Sequence, residues 1–187
     1  MTTLFVILSV LTSFLTNLET KTLQSDFVVT VSEEVNAPMN FPGSLTMHGQ
    51  LFRLEMSNIQ AAYDGKTMYM YSEETEELTL TNPSDQELIE SNPLLFAKAI
   101  SDQCTASERT TADGQQTIIT LVPNDQSMGV NRFVLKVRNA DLMPLQLEIK
   151  EGQANSTLRL TNPTFITTAP SFVIEPEETT FVNDLRF

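Results

Sequence analysis

Apolar residues recur along this chain with two different periods. Between residues 4 and 18, Ile7, Leu8, Leu11, Leu15 and Leu18 share one stripe at helical spacing, with Ser9, Thr12, Ser13, Thr16 and Asn17 largely off it. The spacing predicts an amphipathic helix within residues 1–20, or the remnant of a signal peptide. No Lys or Arg precedes the apolar run, the first being Lys21, and no small-x-small cleavage site follows it closely. The run is also too short and too interrupted by Ser and Thr for a confident bilayer span.

From Leu23 onward the period is two. Phe27, Val29 and Val31 alternate with polar neighbours, and Pro38, Pro42 and Gly43 then break the chain. Strands follow at Leu45 and Met47, at Phe52, Leu54 and Met56, and at Ile59, Ala61 and Tyr63. Asp64-Gly65 is the strongest hairpin signal. The next strand, KTMYMYS, is apolar on both faces through Met68, Met70, Tyr69 and Tyr71, which predicts cover on both sides. After an acidic turn at 73–77 the alternation resumes at Leu78 and Leu80.

Caps announce a helical interlude over 83–103. Ser84 to Glu87 forms a capping box, Asn92-Pro93 supplies a second N-cap, and Leu94, Leu95, Phe96, Ala99 and Ile100 form an apolar face. Past Cys104 the period of two returns as far as Phe172 and Ile174, with turns at Asp113-Gly114, Pro123-Asn124 and Glu151-Gly152. The whole reads as one domain over 1–187, mainly β: an antiparallel sheet of about 11 strands, long enough to curl, with helices over its concave face.

Composition narrows the chemistry. The 187 residues carry 11 Lys and Arg against 24 Asp and Glu, a net charge of −13, which opposes nucleic acid or an anionic lipid surface as partner. With 41% hydrophobic residues the chain can bury a sizeable core. One cysteine, Cys104, and one histidine, His48, cannot build a zinc site or a disulfide framework, and no cofactor is indicated. His48 sits in a hairpin turn, His48-Gly49-Gln50, a poor place for a catalytic base. Gly65-Lys66-Thr67 lacks the glycine at Gln60 and the following helix that a phosphate-binding loop needs. The paired carboxylates Glu33-Glu34, Glu73-Glu74 and Glu177-Glu178 lie in turns with no apolar flank to raise a pKa. The residues therefore read as no enzyme. Eight Met, among them Met47, Met56, Met68 and Met70 in one run of strands, suit either ordinary gap filling or a cavity for chains of varied shape.

Three segments in order, GSLTMHGQLFRLEM, IQAAYDGKTMYMYSEETEELTLTNPSDQELIESNPLLF and SFVIEPEETTFVNDLR, resemble the LolA-like periplasmic carriers of outer-membrane lipoproteins. The resemblance extends from about Leu11 to Arg186 and implies an unclosed half-barrel with helical lids. It further implies a periplasmic carrier that takes acylated lipoproteins from an inner-membrane ABC exporter and passes them toward the outer membrane, with or without a dedicated acceptor there. The acyl-chain cavity it implies is lined by Phe52, Leu54, Met56, Met68, Met70, Leu78, Leu80, Leu88, Leu94, Leu95 and Phe96, with Tyr69 and Tyr71 as alternates to the two methionines. Many family members have Arg-Pro in the turn after the Gly-led strand, and the arginine pins the lid; here that position is Gly49, so lid-locking by arginine does not carry over. A lipid-binding envelope sensor on the same half-barrel is the alternative. The net charge favours a monomer.

Overall fold

The computed structural model describes residues 3–33, 37–84, 87–88, 91–92, 94, 103–125, 129–168 and 170–186, with side chains from Val10 onward. Helix α1 spans Thr3–Thr20. Its Thr16 and Thr20 hydroxyls donate to the Thr12 and Thr16 carbonyls on the exposed side, so the polar stripe is satisfied within the helix. Twelve strands follow: β1 Thr22–Ser32, β2 Met39–His48, β3 Leu51–Met56, β4 Ile59–Tyr63, β5 Met68–Ser72, β6 Glu77–Thr81, β7 Cys104–Thr110, β8 Gln116–Pro123, β9 Arg132–Arg138, β10 Met143–Glu151, β11 Ala154–Ile166 and β12 Phe181–Asp184.

All twelve form one sheet in the order β12-β6-β5-β4-β3-β2-β1-β11-β10-β9-β8-β7. The two end strands do not pair, so the sheet stays open. Every pairing is antiparallel except β12 on β6, which is parallel, a departure from the uniformly antiparallel sheet expected. Helix α1 touches β1 and β2 at the middle of the sheet and also β7 at its edge. Five strand spacings separate β1 from β7, roughly 24 Å if flat, about twice the width of a helix. A single helix can reach both only because the sheet curls round it.

The expected break at Pro42 and Gly43 does not occur: β2 runs through both. Pro42 pairs with Val28 of β1, but β3 joins β2 only from Gly43, so the missing proline N–H interrupts no second ladder. A bulge lies between β1 and β11, where Ser25 stands against Asn162 and Pro163; Asn162 takes a φ of 52°, and the Ser25 hydroxyl donates to Thr161 C=O at 3.0 Å. The turn at Asp64-Gly65 is present. Lys66 and Thr67 N–H donate to Asp64 Oδ1, and the Tyr69 hydroxyl donates to Oδ2. Burial pushes the Asp64 carboxyl up, but these donors together outweigh it and hold it below the usual carboxylate value.

The sheet carries apolar residues on both faces. The larger core fills the concave side under α1, and a smaller one lies on the convex side, where Ala62, Tyr69, Leu78 and Leu80 meet Ile174 and Val173. Phe172 and Ile174 are buried as expected, yet residues 170–177 form an irregular strap across the convex face rather than a strand.

Candidate functional site

Strand register decides what can line a common space. Met47, Phe52, Tyr63 and Met68 are successive cross-strand partners, and so are Leu45, Leu54, Ala61 and Met70. Both rows therefore lie on the same, concave face. Phe52 is fully buried there, with its ring 6.4 Å from that of Tyr63; Met68 is buried, and Leu54 and Met56 are half-buried against the same core. The other half of the sheet contributes Ile119, Leu121, Phe133, Leu135 and Leu147. From above, α1 inserts Phe14 and Leu18, flanked by Val10, Leu11 and Leu15, and the segment after β6 adds Leu88 and Leu94. Leu95 and Phe96 lie outside the described residues.

Two of the expected lining residues lie on the other face of the sheet. Leu78 and Leu80 pair with Tyr71 and Tyr69 in the opposite row, so they face the convex strap and share no space with Phe52. The reason is parity: alternation shows which residues share a face, but the face itself depends on register across each hairpin. Met70 does lie on the concave face, but at an uncovered end. It is 43% exposed and, with Ile59, Thr75, Glu77 and Thr79, borders an open groove of about 210 Å³.

In the segment after β6, the described residues include the expected capping bonds. Ser84 N–H and hydroxyl donate to Glu87 Oε2, Glu87 N–H returns to Ser84 Oγ, and Leu94 N–H donates to Asn92 Oδ1 at 3.0 Å. The bonds to Ser84 hold the Glu87 carboxyl below its ordinary value. Helix α1 is tied at its C-terminal end by the turn after β2, where Gly49 N–H donates to Leu18 C=O at 2.8 Å. Gly49 holds a φ of 59°, a left-handed conformation that glycine adopts without strain. Beside it, the buried Thr22 hydroxyl and His48 Nδ1 are 3.2 Å apart. At the middle of α1, Glu108 of β7 lies against the helix; burial pushes its carboxyl up, offset partly by the Leu11 N–H.

His48 has a structural partner in Thr22, burial pushes the Cys104 thiol up and away from thiolate chemistry, and no group of three metal-ligating side chains exists among the described residues. What the arrangement offers is a continuous, closely packed apolar core between a curved sheet and a helix. Phe14, Phe133, Leu135 and Leu147 belong to this core although they were not among the expected lining residues. Phe14 carried a signal, since it stands four residues before Leu18, and the later strands carried theirs in plain alternation. No described helix is long and apolar enough to cross a membrane.

The profile of a family described as outer membrane lipoprotein carrier protein LolA matches residues 19–172. No curated protein matches the chain by sequence. Among solved structures, an uncharacterized conserved protein from Thermus thermophilus shares the fold, with a TM-score of 0.61 at 15% identity, covering 94% of this chain and 96% of its own. A LolA superfamily protein from Nitrosomonas europaea aligns with a TM-score of 0.42 at 8% identity, over 87% of this chain and 94% of its own. LprF from Mycobacterium bovis aligns with a TM-score of 0.44 at 14% identity, over 87% and 94%.

Proposed function

Because this chain belongs to the LolA family of outer membrane lipoprotein carrier proteins, we propose that it shelters the acyl chains of lipoproteins beneath α1 and carries them across the periplasm. Its donor would be an inner-membrane ABC exporter and its destination the outer membrane, with or without a dedicated acceptor. The observation that supports this most is the concave core itself. Phe52, Met68 and Phe133 on the sheet meet Phe14 and Leu18 on a helix that crosses from mid-sheet to edge, so displacing one helix exposes a long apolar trough.

The energetics suit a carrier. Each methylene removed from water contributes about 0.8 kcal/mol, so a palmitoyl chain is worth on the order of 10 kcal/mol. Release into water would be slow, and cargo would pass by direct contact with its acceptor. The test is native mass spectrometry of the protein purified from a bacterial envelope, with a fluorescent palmitoyl probe titrated into the emptied protein. Bound acylated polypeptide and displacement of the probe are expected. Free lipid alone would favour a lipid sensor instead, and a protein that neither carries nor binds an acyl chain would overturn both.

A further inference from the structure

Asn92 is 1% exposed, and only half of its side-chain amide has a use. Oδ1 accepts Leu94 N–H, which fixes which end of the amide is oxygen, since a flipped amide would set two donors against each other. Nδ2 is then shut off from water with no hydrogen-bond partner among the described residues. A buried donor left unpaired destabilises the fold, so it calls for a reason. Capping does not supply one: serine caps a helix as well as asparagine and would bury no spare N–H. The neighbours of Asn92 give the direction. Leu88 and Leu94, four residues before it and two after, both belong to the concave core, which puts buried Asn92 beside the proposed acyl site.

We propose that Asn92 Nδ2 donates to the ester or amide carbonyl of a bound acyl chain, making the site selective for acyl over plain alkyl chains. This rests on the acyl-binding reading above. The other buried polar atoms without partners, Glu108 Oε1 and Asn155 Oδ1, are oxygens that a carbonyl cannot satisfy while the carboxylate is ionised. The free amide hydrogens of Asn92 match an acyl carbonyl in kind, and the hydrocarbon that follows matches Leu88 and Leu94.

The experiment compares a fluorescent palmitoyl ester with its hexadecyl ether analogue on the full chain and on Asn92→Ser. The native protein should prefer the ester by roughly tenfold, the ratio that 1.4 kcal/mol corresponds to. In Asn92→Ser, which keeps the cap, the preference should vanish while the ether binds as before and the melting temperature holds or rises. A preference that survives the substitution, or equal native binding of the two probes, overturns this inference and leaves acyl binding standing. If neither probe binds the native protein, the acyl-binding reading itself falls. Asn92→Asp is the control for shape: it retains the cap and lacks the amide donor, so it too should lose the preference. A variant in which both probes weaken equally as the melting temperature drops would mean that Asn92 is structural, which also overturns the proposal.

Discussion

At position 43 the choice of residue is made by the strands on either side, through Phe27 of β1 and Glu55 of β3. Phe27 and Gly43 are cross-strand partners, and a Cβ at Gly43 would stand 2.5 Å from the tip of the Phe27 ring and closer still to Glu55 C=O. The ring can turn, but the carbonyl belongs to β3 and cannot move without disturbing the ladder. Gly43→Ala should therefore lower stability by about 1–3 kcal/mol, the usual penalty for overpacking, read as a shift in the midpoint of denaturant unfolding. A neutral outcome would mean that β2 and β3 can part at this point. In the sequence Gly43 looks like a chain break; only the neighbouring ring shows that it is a site of close approach within a strand.

Helix α1 presents a different balance, because one charged group faces its underside. Glu108 sits between α1 and β7 beside Cys104 and Ala106 of its own strand, with Leu11 N–H as the donor from the helix. Burial raises its carboxyl above the ordinary value of 4.5, so the folded state holds the proton to higher pH than the unfolded chain does. The sign follows by linkage: stability from this group is complete below 4.5 and declines as pH rises through the window above it. Glu108→Gln, which keeps an acceptor for Leu11, should be more stable than the native protein at neutral pH by up to about 1 kcal/mol, given its partial exposure. The gain should disappear near pH 4, and thermal melts across that range decide it. A gain independent of pH would place the effect elsewhere.

Elements with local signals were legible in the sequence, and those set by distant partners were not. Ser84, Asn92, Asp64-Gly65 and Glu151-Gly152 announce caps and turns through their own side chains, and the structure has them there. The strap at 170–177 alternates like a strand because its inward residues meet Tyr69 and Leu80, yet it makes no ladder of its own. The sides taken by Leu78 and Leu80 depend on a register that the spacing of residues within one strand does not contain.

For the molecule as a whole, one sheet supports two covers of unequal kind. The convex side is closed by the strap, which leads into edge strand β12, whose Asn183 amide donates to Glu77 Oε1 and whose successor, Leu185 N–H, donates to Leu80 C=O. Just beyond, Arg186 donates to both oxygens of Asp184 and, with its backbone N–H, holds that carboxyl down at about 2. The concave side is covered by α1 and by Leu88 and Leu94 of the segment after β6, and at its β5–β6 end Met70 borders an open groove. Two substitutions a few residues apart expose the difference. Leu78→Glu places a carboxylate where the side chain is 1% exposed beneath the strap, and an unpaired buried charge should cost several kcal/mol, a large share of a domain's roughly 5–15 kcal/mol. Met70→Glu places the same group at a half-open rim, where water can reach it, and should shift the melting midpoint by no more than about 1 kcal/mol equivalent. If the acyl chain leaves the trough past Met70, that variant should also bind the palmitoyl probe more weakly while remaining folded. Thermal unfolding alongside probe titration separates the cases: equal collapse of both variants would show the groove at Met70 to be closed core, and full probe affinity in Met70→Glu would place the mouth of the trough elsewhere along the sheet.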